Sequence, residues 1–226
     1  MSLTDNQYKA LQDFCSRYPL RKITKNRPML YQGEIPPSVL FIKSGVVKIY
    51  NITSEGEEKI IGYESRNGLM PLEWVFGRSP GSSYYYDAFT DCEIYHVDKT
   101  ELIELIKSDP QVALGLLDRF VSMYIGASIH LHALEQSRAR NKLLYIFQYL
   151  VLRFGEQTDG SHYRIDLRLT HQDLANLIGS TRETASNEIG KLSKEKILQV
   201  KDLKYVIDTD RALRLLGEDD FANISL

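Results

Sequence analysis

Within seven consecutive positions the chain places Thr181, Arg182, Glu183, Thr184, Ser186 and Asn187, with Ala185 the one apolar residue among them. An arginine can give two parallel hydrogen bonds to guanine, a glutamate can accept from cytosine, and serine or asparagine can meet several bases. Such a set can therefore read the edges of base pairs. At about 100° per helical residue, Ala185, Ile189 and Leu192 fall on one face. Arg182, Glu183, Ser186 and Asn187 share a different arc that nothing apolar occupies. A solvated helix face would carry the same residue types, so the flanking elements must decide.

Upstream, "LTHQDLANLIGS" sets Thr170 three residues before Asp173, the spacing of a capping box, and Leu174, Leu177 and Ile178 make a buried side. Gly179 suits the left-handed exit of a helix. Thr181 then caps the next helix, with Glu183 in its first turn at the positive end of the dipole. Ala175 and Ala185 are small enough for a close helix crossing. Two short helices joined by a tight glycine turn describe a helix-turn-helix, and a recognition helix meets DNA mainly through its N-terminal residues. Downstream, "KEKILQVKDLKYVID" predicts two strands with a turn at residues 202–204, the wing of a winged helix-turn-helix. Lys201 and Lys204 on that wing are candidate phosphate contacts, or else solubilising surface lysines. Thr170 is counted with the DNA-contacting candidates.

Charge agrees with a local nucleic-acid surface. Residues 137–205 carry 12 Lys and Arg against 8 Asp and Glu, while the remainder carries 16 against 22. The whole-chain charge of −2 argues against a protein that coats nucleic acid, and the asymmetry argues for two domains. A length of 226 residues supports two modest cores, and 43% hydrophobic with 26% charged residues is an ordinary globular composition. Two cysteines, Cys15 and Cys92, are too few for a disulfide framework or an all-cysteine metal site, and both are expected to be buried thiols. No apolar run approaches membrane-spanning length, and "MSLTDNQYKALQDF" lacks the basic flank and apolar centre of a signal peptide. A cytoplasmic protein with no membrane partner is expected.

The elements ahead of the helix-turn-helix are of two kinds. Between residues 28 and 97, short runs such as "VLFIKSGVVKIYNI", "EEKIIGYE" and "CEIYHV" are rich in Val, Ile, Tyr and Phe and are spaced evenly by turn residues. That spacing predicts a barrel or jelly roll. Helices are expected over residues 5–17 and 98–108, with a long one opening at Pro110. In the long helix Leu117, Val121, Tyr124, Ser128 and Leu131 line one stripe at alternating spacings of four and three, as in a two-helix coiled coil. Leu114, Leu116, Phe120, Met123 and Ala127 occupy neighbouring faces that suit packing on the barrel. A dimer helix is the reading, with a monomer's core helix as the alternative. "LEQSRARNK", residues 134–142, interrupts the apolar pattern and marks the junction. The expected domains are 1–109, 110–137 and 138–226.

With these blocks in place the chain resembles the family of the cyclic-AMP receptor protein and the fumarate–nitrate regulator. The resemblance rests on "LYQGE", "LFIKSGVVKIY", "EGEEKIIGY", "NGLMPLEW" and "DCEIYHVDKTELIELI" in the barrel. In the DNA domain it rests on "LTHQDLANLIGSTRETASNEIGKLSKEKIL". It implies an α+β chain: an N-terminal cyclic-nucleotide-binding-like β jelly roll, a long dimerisation helix and a C-terminal winged helix-turn-helix. The expected partners are a two-fold operator in double-stranded DNA, a second copy of the chain and RNA polymerase. By the same resemblance Arg182, Glu183 and Ser186 sit where members read bases, and Thr181 and Thr184 where phosphate contacts are common. Asn187 departs from the usual arginine, so one half-site position would be read differently. In the barrel, Glu73 falls at the position of the ribose-binding glutamate, but the position of the phosphate-binding arginine falls near Ser82. A buried phosphate would lose its charge-assisted partner there. Arg78 lies nearby, though loop arginines are commonly surface residues. Cyclic AMP is therefore not the expected ligand, and no cofactor is expected.

Tyr84 and Tyr86 should share one strand face while Tyr85 points away. With Glu73, Trp74, Ser83, Met123 and Tyr124 they make a candidate site for a small, uncharged organic effector. The alternative is that these aromatics simply fill the barrel. His130 and His132 are two apart on a helix and point to different sides, which disfavours one shared metal. An iron–sulfur cluster lacks its cysteines. A cupin-like metal-dependent enzyme would need inward-facing histidines, and residues 28–97 hold only His96. A regulator that no longer senses a ligand is the remaining alternative.

Overall fold

Val39, Leu40, Phe41 and Ile42 leave no polar position in four, and a strand of that composition needs cover on both faces. The computed structural model, which describes residues 5–217, supplies it. The outermost residues of the expected first and last domains, 1–4 and 218–226, lie outside the described residues. The chain divides into two compact units between Phe120 and Val121.

In the first unit, α1 (Asp5–Cys15) precedes β1 (Leu20–Ile23), β2 (Pro28–Leu30), β3 (Val39–Ser44), β4 (Val47–Ile52), β5 (Glu58–Glu64) and β6 (Leu69–Met70). Then follow α2 (Leu72–Val75), β7 (Tyr85–Ala88), β8 (Cys92–Val97), α3 (Lys99–Ser108) and the start of α4 (Pro110–Glu135). The strands form two four-stranded sheets, ordered β1-β8-β3-β6 and β2-β7-β4-β5, with antiparallel pairing throughout. Leu40 and Ile42 join Leu30, Val47, Tyr86, Ala88 and Ile94 in one core, to which both sheets contribute. Val39 and Phe41 point the other way, into a second core with Leu11, Cys15, Val75, Leu102, Val112 and Leu116 from the helices. Burial there pushes the Cys15 thiol up to about 12. Gly45 turns β3 into β4 at φ +93°, where a Cβ would lie 2.4 Å from the Asp91 carbonyl oxygen, so the turn tolerates no side chain.

The helix expected over 98–108 is α3, which Asp98 caps by accepting from the Glu101 N–H (2.9 Å), and Pro110 is the first residue of α4, as expected. The first expected helix ends at Cys15 rather than 17. Strand β1, with the sequence LRKI, was not foreseen, because its exposed lysine and arginine break the apolar pattern.

The second unit holds the rest of α4, then α5 (Ala139–Phe154), β9 (Gly155–Asp159), β10 (His162–Ile165), α6 (His171–Ile178), α7 (Arg182–Lys194), β11 (Leu198–Lys201), β12 (Lys204–Asp208) and α8 (Thr209–Leu216). A sheet ordered β11-β12-β10-β9 runs beside the helices. The expected strand pair and turn are β11 and β12, with Asp202 and Leu203 both at positive φ. The β9–β10 hairpin and α8 were not foreseen.

Along α4, Leu117 (59%), Val121 (50%), Tyr124 (74%) and Leu131 (60%) are exposed, so the stripe drawn from the sequence is an unburied apolar ridge. The neighbouring faces need correction in part. Leu116 is buried with Val112 in the helix-side core of the first unit, and the partly exposed Phe120 meets the Phe76 ring (centroids 6.0 Å apart), but Leu114 is exposed. An Arg119–Glu64 ion pair adds a polar tie to β5. The expectation that no segment reaches membrane-spanning length also needs correction. By length and composition α4 passes that test, because its apolar residues are spread over 26 positions rather than run together.

Candidate nucleic-acid interface and barrel interior

The helix-turn-helix is built from its caps. Thr170 Oγ1 accepts from the Asp173 N–H (3.1 Å) and Asp173 Oδ2 accepts from the Thr170 N–H (2.8 Å), closing the capping box that starts α6. Gly179 ends α6 at φ +60°. Thr181 caps α7 by accepting from the Thr184 N–H at 3.2 Å. Leu174, Ala175, Leu177, Ile178, Ala185, Ile189 and Leu192 are all buried, which fixes the rotation of α7 about its axis. That rotation leaves Arg182, Glu183 and Asn187 exposed and Ser186 half-buried, on the helix side away from the core. None of these four has an intramolecular hydrogen-bond or ion-pair partner among the described residues. The donors and acceptors of the ridge are thus held by a rigid frame and not consumed by it.

Other expected contacts are engaged within the chain. The Thr170 hydroxyl also donates to Asp173 Oδ2 (2.6 Å), so its one hydrogen is engaged by the cap. The Thr181 and Thr184 hydroxyls bond each other at 2.9 Å. Lys204 is paired with Asp166, whose carboxyl it holds below the ordinary range, whereas Lys201 is exposed. Sequence spacing could not show these pairings, since Asp166 is 38 positions from Lys204. Arg168, exposed and two residues before Thr170, belongs with the cationic candidates and was overlooked.

Two more residues secure the frame. Arg140, inside the segment expected to be the domain junction, makes a paired contact with Glu195 at the C-cap of α7. Its hydrogen bonds hold the Glu195 carboxyl below the usual range. Asp208 accepts from the Arg211 N–H (3.1 Å) and the Ser161 hydroxyl (2.9 Å), capping α8.

In the barrel, Tyr86 is buried in the core shared by the two sheets, with Tyr84 packed against it. Burial, reinforced by the Glu73 carboxylate, pushes the Tyr86 phenol well above its ordinary range. Tyr85 points outward and stacks on Tyr50 with ring centroids 5.2 Å apart. The alternation read from the sequence is therefore present. Glu73 Oε1 accepts from the Ser83 N–H (2.8 Å), and Ser82, at the expected arginine position, is buried with its hydroxyl donating to the Tyr84 carbonyl (2.7 Å). The loop thus satisfies its own N–H with its own carboxylate. Trp74 is a correction: it packs in the helix-side core with Val75 and Leu102, under the Lys99 ammonium at 4.2 Å, and not beside Tyr86. Tyr124 projects from the exposed ridge of α4, and Met123 is half-buried. Among the described residues no group of three or more His, Cys, Asp or Glu is placed to hold a metal ion.

A long helix between a two-sheet barrel and a winged helix-turn-helix defines a class of DNA-binding regulator, and comparison with known proteins agrees. Residues 20–109 match the cyclic nucleotide-binding domain and residues 143–216 the Crp-like helix-turn-helix domain, together well over half of the chain. The chain is 25% identical to the global nitrogen regulator of Nostoc sp. over 81% of this chain and 82% of that protein. It is 26% identical to the fumarate and nitrate reduction regulatory protein of Yersinia pestis over 96% and 84%. In fold it is similar to a CooA mutant from Carboxydothermus hydrogenoformans (TM-score 0.76, 16% identity, 96% and 98% of the two chains). It is likewise similar to FixK2 from Bradyrhizobium japonicum (TM-score 0.73, 20% identity, 88% and 96%). The chain belongs to the Crp/Fnr family of DNA-binding transcription regulators.

Proposed function

We propose that this regulator works as a homodimer on a two-fold symmetric operator, reading each half-site with Arg182, Glu183, Ser186 and Asn187, and that its barrel responds to a small organic effector other than cyclic AMP. The observation that carries the reading is the unspent polar ridge at the N-terminal end of α7, held in place by the caps of α6 and α7. Lys201 and Arg168 supply phosphate contacts beside it. The apolar ridge of α4 supports the dimer, because a second copy would cover Leu117, Val121, Tyr124 and Leu131 by symmetry. On this reading residues 1–109 sense, 110–137 dimerise and hinge, and 138–226 bind DNA. RNA polymerase is the protein partner the family implies.

The barrel reading rests on the self-closed loop. A nucleotide phosphate approaching the Ser83 N–H would meet the Glu73 carboxylate already bonded there, with Ser82 standing where a cation would be needed. An uncharged ligand beside Tyr84 and Tyr86 meets no such charge. Sensing would act by changing the placement of the two recognition helices, which must meet successive major grooves about one DNA turn apart.

The test is selection of bound sequences from random duplex DNA, with and without the small molecules of a cell extract. A two-fold symmetric motif supports the dimeric reading, and a single unsymmetrical half-site refutes it. Extract dependence supports the sensing barrel, and its absence favours a ligand-independent regulator.

A further inference from the structure

α4 carries more than its exposed ridge. Within the second unit its opposite side packs closely. A Cβ on Gly126 would lie 3.1 Å from the Tyr149 ring of α5, and Ile129 and Ala133 are fully buried. One polar side chain lies in this packed surface. His130 is 7% exposed, is stacked on Tyr149 (centroids 6.2 Å apart, 22° between planes) and has its Nε2 2.7 Å from the carbonyl oxygen of Leu177.

Leu177 lies in the last turn of α6, where carbonyls lack an intrahelical N–H. The Gly179 and Ser180 N–H groups both return to Ala175. The Leu177 carbonyl is therefore one of the orphaned acceptors, and His130 provides a donor for it from another helix. The bond sits at the entry to the turn between α6 and α7. Leu134 touches the same turn, 4.0 Å from where a Gly179 Cβ would be.

We infer that His130 is a positioning residue for DNA reading: its bond to Leu177 fixes the angle between the dimer helix and the helix-turn-helix, and so the spacing of half-sites the dimer accepts. Apolar packing resists separation but permits sliding and rotation, whereas a hydrogen bond has directional preference and leaves a buried carbonyl unsatisfied if the helix turns away. Hydrophobic contacts from Ile129 and Ala133 hold α4 on the domain, and His130 selects one orientation among those the contacts permit.

The inference rests on the dimeric reading above, and the experiment separates the two. Binding of full-length protein is measured on duplexes bearing two selected half-sites at the preferred spacing, at spacings one base pair shorter and longer, and on a single half-site. Wild type should prefer one spacing; equal binding at all three overturns the dimeric reading itself. His130→Phe keeps the stacking ring but donates no hydrogen bond. It should bind the single half-site as wild type does, yet lose about fivefold to tenfold of the spacing preference, the order expected for one buried hydrogen bond. His130→Gln, with an amide N–H able to reach the carbonyl, should restore most of it. If His130→Phe fails to fold, His130→Asn, whose amide stops one bond short, carries the same expectation. A folded donor-less variant that retains the full spacing preference overturns the inference.

Discussion

The exposed ridge of α4 gives the most direct quantitative test. Leu117 and Leu131 are exposed by 59% and 60%. Full burial of a leucine side chain is worth about 1.5–3 kcal/mol, so covering the exposed part of one is worth about 1–2 kcal/mol. A two-fold interface contains each residue twice, which makes the pair worth about 4–7 kcal/mol per dimer if the partner covers them completely. The double variant Leu117→Ala/Leu131→Ala keeps helix propensity and adds no charge, so its effect is confined to the association. The dimer dissociation constant should rise by about three to five powers of ten, since each 1.4 kcal/mol is tenfold. Sedimentation over a dilution series reads this directly, and single half-site binding reports whether each subunit is still folded. A dissociation constant within tenfold of wild type would show that the ridge is not the dimer contact, whatever else covers it.

Three further outcomes follow from the second unit. Arg182→Ala should weaken binding to a selected site by about 1–3 kcal/mol and blur preference at one base pair per half-site, read by titrating base-substituted duplexes. Gly179→Ala meets only Leu134 at 4.0 Å, so its cost is backbone strain at φ +60°, about 1 kcal/mol, with Gly179→Asn recovering part of it in thermal unfolding. Asp208→Ala should cost about 1–2 kcal/mol at neutral pH by removing the α8 cap. Burial alone would raise the Asp208 carboxyl, but bonds from the Arg211 N–H and the Ser161 hydroxyl, with the His162 and Arg211 charges, leave it below its ordinary 3.8. Its ionised form therefore stabilises the fold above that value, and the gap between wild type and variant should close as pH falls through the folded pKa. A constant gap across that range would contradict the assignment.

The features that could be read from the sequence are those whose cause is local. Thr170 with Asp173, Thr181 as the cap of α7 and Pro110 at the head of α4 all act within three or four positions, and each stands where its spacing puts it. The alternation of Tyr84, Tyr85 and Tyr86 follows from strand geometry alone. What escaped depends on partners far along the chain. The exposed β1 is a strand because it pairs with β8, Leu20 opposite Tyr95. Arg140 and Glu195 meet across 55 positions, and nothing in either neighbourhood announces the other. Trp74 lies only ten positions before Tyr84, yet it and Tyr86 enter different cores because β3 presents alternate residues to each. The phosphate candidates show the same limit: residue type says that a threonine or lysine can bond, not that Asp173 or Asp166 already bonds it within the chain.

The pairing of Lys204 with Asp166 has a consequence for how binding responds to salt. DNA holds a sheath of condensed ions, and each protein cation that neutralises a phosphate expels some of that sheath into bulk solvent, which is the entropic source of much of the affinity. A lysine whose charge is already balanced by a neighbouring carboxylate expels little on arrival. Affinity for DNA in this protein should accordingly fall less steeply with ionic strength than its count of wing cations suggests.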